Sequence, residues 1–397
     1  MKLDTTQEQA IERAVKARFL AITGGAGTGK TTIIDSITRE LERNGAEVKL
    51  CAFAGKAAAR MREATKHESS TIHRMLGYDG TNFNCESLAG KSIIVDEASM
   101  IDSALLSEIV RRGPERLIMV GDQAQLPPVG SGQPFHDIIR HRPDKVANLV
   151  RCYRATEAVF KAATTIRSGG RPAMYDESEG ERWAVLNTGD AGRTQTTILK
   201  WVEEGAFDFA RDVILVARNG ENPEEPSTVA GLNKAISKLI APRDEKRKFV
   251  IGDRVINTKN LPKLDAWNGT TGTVHANDID GGVWVRTDIP VIDWDKTSDP
   301  KSPKYHDVIL FNKENRKHLE LAYALTVHKS QGSQYRRVCL VCLRRDTRSL
   351  LDRSLLYTGV TRTRESCCLV GEVAAMYQAI DKVDEKRTII QQLARNS

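Results

Sequence analysis

The sequence predicts an α/β protein built on two parallel sheets, each covered by helices. Three observations carry that expectation. Short apolar runs alternate with helical patterns up to about residue 155, the same alternation returns more loosely downstream, and a β-rich stretch interrupts the second half. At about 100–200 residues per domain, the chain of 397 residues holds two or three domains.

The first strand is read at residues 18–23 (RFLAIT), followed by a glycine cluster and a helical pattern from Thr31 to about Asn44 that Gly45 ends. Further apolar strands stand at Val48–Phe53, Ser92–Val95 and Leu117–Val120, with helix-like segments at Gly55–Ala64 and Asp102–Arg111 between them. Downstream, Val213–Val216 reads as a buried strand, Leu232–Ile240 as a helix, and Val338–Leu343 and Cys368–Val370 as strands. Residues 249–319 differ: turn signals at Asn268-Gly269, Gly281-Gly282 and Asp299-Pro300 separate short runs such as VINT, TGTV and VWVR. This pattern predicts a small all-β module set into the second α/β unit. Residues 219–228 (NGENPEEPST) are expected to form a loop, and no internal repeat is present.

Composition narrows the class. Hydrophobic residues at 40% and charged residues at 28% are globular values that argue against disorder. Lys plus Arg (59) exceed Asp plus Glu (52) by seven, a balance that tolerates a polyanionic partner without identifying one. The longest apolar runs fall well below the roughly 18 residues of a membrane span. The opening MKLDTTQEQAIERA has no apolar stretch behind its charges, so no secretory leader is expected. Seven cysteines, an odd number in a chain long enough to bury a core, read as reduced thiols of a cytosolic protein. Cys339 and Cys342 have C-x-x-C spacing. They lie in VCLVCL, where residues three apart on a strand point to opposite faces, so a core role is favoured over a metal or redox site.

The chemistry concentrates in residues 24–31, G-G-A-G-T-G-K-T, which match G-x-x-x-x-G-K-[ST]. Glycines let consecutive backbone N–H groups curl round a phosphate, and the following helix N-terminus adds partial positive charge. Gly24, Gly25, Ala26, Gly27, Thr28, Gly29, Lys30, Thr31 and Thr32 are therefore the expected nucleotide contacts, with Lys30 on the β- and γ-phosphates and Thr31 on Mg2+. Residues 92–97 (SIIVDE) are an apolar strand ending in two carboxylates. Such an end also occurs where a strand merely meets solvent. At the carboxyl edge of a phosphate-loop sheet, Asp96 can hold Mg2+ and Glu97 can activate water. Gln125, in the loop after Leu117–Val120, is placed to sense a γ-phosphate. Arg362 follows a short apolar run and is suited to neutralising charge on the γ-oxygens, although a surface arginine would look the same.

In order, these segments resemble the superfamily 1B DNA helicases of the RecD/Dda-like branch, over nearly the whole chain. Leu3-Asp-Thr-Thr-Gln7 resembles the Q motif, and Gly24–Thr31, Asp96-Glu97 and Gly121–Gly130 resemble motifs I, II and III. Residues 50–58 (LCAFAGKAA) resemble motif Ia, and Ser70-Thr71-Ile72-His73-Arg74 the short DNA-contacting motif after it. Arg154 resembles the motif IV arginine, Thr326-Val-His328-Lys-Ser330-Gln331-Gly332 motif V, and Leu356–Arg362 motif VI. Three departures stand out: Phe53-Ala54 replaces the usual Pro-Thr, Tyr153-Arg154-Ala155 the usual Phe-Arg-Gln, and Gly332-Ser333-Gln334 the frequent Gly-Ser-Glu.

The resemblance implies two RecA-like parallel-sheet domains, a small β-hairpin pin and an inserted SH3-like β-barrel. The implied spans are 1–155 for domain 1A with the pin at about 77–88, 156–248 plus 320–397 for domain 2A, and 249–319 for the SH3-like domain 2B. It implies ATP and Mg2+ as cofactors, with Gln7 reading adenine and Gln331 and Gly332 near the nucleotide. Lys30, Glu97, Gln125, Arg154 and Arg362 would be catalytic, with nucleotide bound between the two domains. DNA contacts would fall to Phe53, Lys56, Thr71, His73, Phe83, Thr326, His328 and Ser330. Phe83 would stack at the fork, with a plain surface loop as the alternative for 77–88, and Phe53 either stacks on a base or closes a strand in the core.

The implied activity is a monomeric ATP-dependent 5′→3′ helicase acting on single-stranded and forked duplex DNA in a bacterial cytosol, and a phage origin is one expectation. Single-strand-binding, replication or recombination proteins are possible partners, and no membrane is involved. Two rivals are a single-stranded-DNA-dependent translocase that strips proteins but unwinds weakly, and a DNA-binding subunit with vestigial ATPase.

Overall fold

The computed structural model describes residues 3–153, 157–178, 180–241, 248–292 and 304–383. Two compact units are present, one reaching to Lys161 and one spanning Ala162–Lys382.

The first unit opens with α1 (Thr5–Lys16) and continues through β1 (Phe19–Gly24), α2 (Lys30–Arg43), β2 (Glu47–Ala52), α3 (Gly55–Thr65), β3 (Ser69–Thr71) and α4 (Ile72–Met75). It goes on with β4 (Lys91–Asp96), α5 (Ser103–Arg111), β5 (Arg116–Gly121), α6 (Pro134–His141) and β6 (Val146–Leu149), and α7 (Ala158–Arg167) follows. The six strands form one parallel sheet in the order β3-β2-β4-β5-β1-β6. Alternation along each strand feeds two cores. Leu20, Ile22, Ile94, Ile118 and Val120 pack with Ile33, Ile37 and Leu41 of α2, while Ala21, Ile93, Val95, Leu117 and Met119 pack with Ile72, Leu105 and Phe135.

The second unit carries β7 (Tyr175–Ser178), β8 (Glu181–Asn187), α8 (Ala191–Glu203), β9 (Val213–Val216) and α9 (Val229–Ile240). An antiparallel run follows: β10 (Arg254–Asn257), β11 (Thr271–Asn277), β12 (Val283–Ile292), β13 (Tyr305–Phe311) and β14 (Leu319–Leu321). The chain then returns through β15 (Ala324–Thr326), β16 (Tyr335–Cys342), α10 (Arg344–Thr347), α11 (Arg353–Val360), β17 (Thr363–Gly371) and α12 (Val373–Asp381). Its main sheet has the order β15-β9-β16-β17-β8-β7, parallel except for the β7–β8 pair. Cys339 faces its core beside Ile214 and Val216, and Cys342 is also fully buried. Burial pushes the thiols of this sheet up, Cys367 to about 12, and all seven cysteines are free.

The β-rich stretch is present as a five-stranded antiparallel sheet, β13-β12-β11-β10-β14, around Val255, Val274, Val285, Ile309 and Phe311. Its edges, β13 and β14, are not joined to each other among the described strands, so the sheet is open rather than a closed barrel. Residues 77–88 likewise form less than a two-stranded hairpin. One bridge, Tyr78–Phe83, closes a turn in which Asp79 Oδ1 accepts the N–H groups of Thr81 and Asn82, both at 2.8 Å. The Asn84 and Cys85 N–H groups donate back to Gly77 O (3.2 Å) and Leu76 O (3.0 Å), so the two arms stay joined below the bridge without becoming regular strands.

Candidate active site

β1 delivers the chain to Gly24 and α2 starts at Lys30, so the phosphate-loop sequence is a tight strand-to-helix turn. Gly27 (φ 74°) and Gly29 (φ 81°) occupy the left-handed region that favours glycine. A Cβ on Gly29 would lie 2.6 Å from Gln7 Nε2. No side chain caps α2, whereas Asp4, Asp102, Asp190, Thr228 and Asp352 cap α1, α5, α8, α9 and α11. The first N–H groups of α2 are thus not consumed by a side-chain cap and suit an anion. Lys30 Nζ curls back onto the carbonyls of Gly24 (2.8 Å) and Gly25 (3.0 Å), and Thr28 Oγ1 donates to Gly25 O at 2.9 Å. Thr31 is exposed and Thr32 half-buried on the first turn. This glycine cradle, closed on its own lysine, fits a phosphate group.

β4 places Asp96 at its carboxyl end, beside Ala52 of β2. Asp96 and Glu97 are 8% and 7% exposed, and Glu97 sits at φ 53°, a costly conformation for a non-glycine residue. Its N–H donates to Asp96 Oδ1 at 2.8 Å. Burial first, and the Glu97 charge second, push the Asp96 carboxyl up to about 6, against the Glu97 N–H and the charges of Lys30 and Arg60. Arg60 of α3, which the sequence did not single out, brings Nη2 to 3.7 Å from Glu97 Oε1, and its buried Nε has no hydrogen-bond partner among the described residues. At the end of β5, Asp122 Oδ1 accepts the Ala124 N–H (3.0 Å), its carbonyl accepts the Gln125 N–H (3.2 Å), and Gln125 is buried.

Among the described residues no group of three or more His, Cys, Asp or Glu could hold a metal ion. The site offers one hydroxyl, Thr31, and one carboxylate, Asp96. That donor set fits Mg2+, which binds through one or two carboxylates with waters and substrate phosphates supplying the rest.

Gln7 lies behind this loop, fully buried, with Nε2 on the Thr28 carbonyl (3.1 Å) and Oε1 near the Tyr153 hydroxyl (2.9 Å). The adjacent Arg154 lies outside the described residues.

Three of the predicted DNA residues of the first unit, Phe53, His73 and Phe83, gather into one aromatic group. The His73 ring stands 6.1 Å from Phe53, 5.4 Å from Tyr78 and 5.9 Å from Phe83, and the Arg112 guanidinium lies 5.8 Å from the Phe83 ring. Burial pushes His73 down, with the Asp102 charge opposing. Thr71 is spent locally: its hydroxyl caps α4 by accepting the Arg74 N–H at 3.1 Å. Lys56 stands in the first turn of α3. Tyr78 and Arg112 escaped the sequence reading because only folding brings them to Phe83.

In the second unit, motifs V and VI meet. Arg362 Nη1 reaches Ser333 O at 3.4 Å and Nε reaches Thr358 O at 3.2 Å. Ser330 is fully buried, donating to Val327 O at 2.7 Å, and Thr326 Oγ1 accepts the Lys329 N–H at 3.2 Å. His328 is half-buried, Gln331 is 7% exposed with an Nε2 that has no hydrogen-bond partner among the described residues, and Gly332 turns at φ 73°.

Residues 2–181 match the AAA domain family and residues 321–370 the UvrD-like helicase C-terminal domain. The ATP-dependent RecD2 DNA helicase of Deinococcus radiodurans is 31% identical, over 97% of this chain and 51% of its own length. The RecBCD enzyme subunit RecD of Mycobacterium tuberculosis is 30% identical, over 94% of this chain and 70% of that protein. The chain belongs to the RecD-like superfamily 1B helicases. This RecD-like chain spans about half the length of the RecD2 relative. The Pif1 helicase from Bacteroides, solved with ADP-AlF3 and single-stranded DNA, superposes with a TM-score of 0.56, covering 100% of the RecD-like chain and 97% of its own. At 18% identity that likeness establishes a shared fold.

Proposed function

We propose that this RecD-like chain is an ATP-dependent DNA helicase that moves 5′→3′ on single-stranded DNA and separates duplex ahead of it. One observation carries the reading: Lys30 at the phosphate loop and Asp96-Glu97 at the end of β4 share one sheet edge, close enough for the Lys30 charge to act on Asp96. Lys30 binds β- and γ-phosphate oxygens, Thr31 and Asp96 hold Mg2+, and Glu97 orients the attacking water and takes its proton. Mg2+, when bound, neutralises charge on the phosphate oxygens. Gln125 senses the γ-phosphate, and Arg362, with Arg154, supplies further positive charge. Phe53, Lys56, His73 and Phe83 form the single-strand face of the first unit. Opening one base-pair step costs about 1.4 kcal/mol, so coupling limits unwinding more than energy does.

The finer organisation follows the family: domain 1A at 1–155 with a pin at 77–88, domain 2A at 156–248 and 320–397, and an SH3-like domain 2B at 249–319. A monomer in the cytosol, working beside single-strand-binding or recombination proteins, completes the reading. The deciding experiment is unwinding of duplexes with a 5′ tail against a 3′ tail, with ATP and Mg2+. A preference for the 3′ tail overturns the direction, and no unwinding of either overturns the helicase.

A second reading is favoured by the single Tyr78–Phe83 bridge: a translocase that displaces proteins and unwinds weakly. Fast streptavidin displacement from single strands, combined with slow fork unwinding, would select it.

A further inference from the structure

The turn at 77–88 carries Phe83 on one bridge, Tyr78–Phe83. Even a regular two-stranded hairpin is marginally stable alone in water, so what holds this ring in place must come from outside the turn. Arg112, the residue that ends α5, supplies it. Its Nη2 donates to Phe83 O at 3.1 Å and its Nε donates to Cys85 O, so the carbonyls on either side of Asn84 are taken by one side chain. Its Nη1 turns back onto α5 and donates to Glu108 Oε2 at 2.7 Å and to Glu108 O. The Arg112 carbonyl accepts the Leu88 N–H at 2.8 Å, and Leu88 is buried, so the far end of the turn is sewn to the same residue.

The Arg112 side chain is 5% exposed, which leaves it little surface of its own for a strand. A buried guanidinium is tolerated where its donors are met and its charge is paired. Here all three nitrogens donate, two of them to the turn, and Glu108 carries the countercharge. The planar fork reaches two carbonyls at once, which the point charge of a lysine does not reproduce. The helix beneath is itself fixed: α5 follows Asp96-Glu97 along the chain and sinks Leu105 and Ile109 into the core with Ile93 and Val95 of β4.

On the reading that Phe83 parts the strands, we infer that Arg112, paired with Glu108, anchors the 77–88 turn to α5, so that Phe83 meets a fork as a fixed part of the first unit. Arg112 and Glu108 are positioning residues that act through Phe83. A wedge works only if displacing it costs more than opening a base-pair step, and hydrogen bonds from a charged donor are individually that strong.

The test counts base pairs opened per ATP hydrolysed by the full chain on a fork with both single-stranded tails. Wild type is compared with Arg112→Met, Arg112→Lys, Glu108→Gln and Phe83→Ala. The anchor predicts a ratio about tenfold lower for Arg112→Met, the effect of one lost charge-assisted hydrogen bond, with ATPase on single strands unchanged. Arg112→Lys should recover little, and Glu108→Gln, which keeps an acceptor and drops the charge, should fall between wild type and Arg112→Met. If Arg112 only stabilises the fold, ATPase and unwinding fall together, the ratio holds, and the anchor is overturned. Full recovery by Arg112→Lys overturns it too, because the fork would then be dispensable. An unchanged ratio for Phe83→Ala overturns the wedge reading itself, whereas a lowered ratio there beside a wild-type ratio for Arg112→Met overturns the anchor alone. Wild type that opens no base pairs overturns the helicase reading and takes the anchor with it.

Discussion

Arg60 holds Nη2 3.7 Å from Glu97 Oε1, linking α3 to the residue assigned to the attacking water. Lys56, a proposed DNA contact, stands one turn earlier on the same helix, so the helix that would touch the strand also touches the catalytic carboxylate.

Arg60→Ala is therefore expected to lower DNA-stimulated kcat by about tenfold with little change in KM, the signature of a group that matters in the transition state. Arg60→Lys should recover part of it. Steady-state ATPase with and without single-stranded DNA measures both, and a defect confined to KM would remove Arg60 from this role.

Glu97→Gln keeps shape and loses the base. It should still bind ATP but hydrolyse it about 10²-fold or more slowly, as expected for losing a general base. Single-turnover hydrolysis reads this directly, and a wild-type rate would take Glu97 out of catalysis.

Lys30→Ala should abolish turnover yet leave DNA binding that weakens with salt, because phosphate contacts to the strand are made elsewhere. Filter binding across a salt series, alongside ATPase, checks the separation. Retained hydrolysis would contradict the assignment.

Phe83→Ala removes one ring from the His73–Tyr78–Phe83 group and the platform under Arg112. Fork unwinding should drop more than translocation along single strands, since a stacked base contributes roughly 1–3 kcal/mol. Equal losses in the two assays would mean the turn is no wedge.

The Asp4 carboxyl is held down to about 2, from 3.8, chiefly by the Thr6 hydroxyl, with burial opposing and the Tyr153 hydroxyl and backbone N–H groups assisting. A depressed folded-state value means stability that is complete above the unfolded value and is lost as pH falls through the folded one. The difference in thermal midpoint between wild type and Asp4→Asn should therefore be constant from pH 7 down to about 4 and shrink towards pH 2. A difference that does not narrow would show that the charge is not what Tyr153 and Thr6 stabilise.

The first unit was readable wherever period and punctuation agreed. Residues 18–23, SIIVDE and Leu117–Val120 are each an apolar strand running into polar loop residues, and β1, β4 and β5 lie within a residue or two of where the pattern puts them. Val213–Val216 is β9 to the residue. Elements whose signals are short or mixed escaped: β3 and β15 have three residues each, and β8 (ERWAVLN) carries charge at its start. The turn at 77–88 was foreseen from Asp79-Gly80. Its failure to extend was not, because bonds from Asn84 and Cys85 back to Gly77 and Leu76 depend on α4. Lys30, Asp96 and Glu97 were legible because motifs encode them locally. Arg60, Tyr153 and Asp4 were not, because their importance lies in partners 37, 146 and 149 positions away along the chain.

The antiparallel sheet leaves and rejoins the second unit through neighbours. Val255 pairs with Leu321, the Ala322 N–H donates to Arg254 O at 2.8 Å, and the buried Tyr323 hydroxyl bonds Asp253 at 2.7 Å. Both ends of the insert therefore sit one strand spacing apart, sealed by these ties across the seam. A cassette tied off this way can be swapped, enlarged or excised across evolution, or by an engineer, with only a short splice needed to restore the parent sheet.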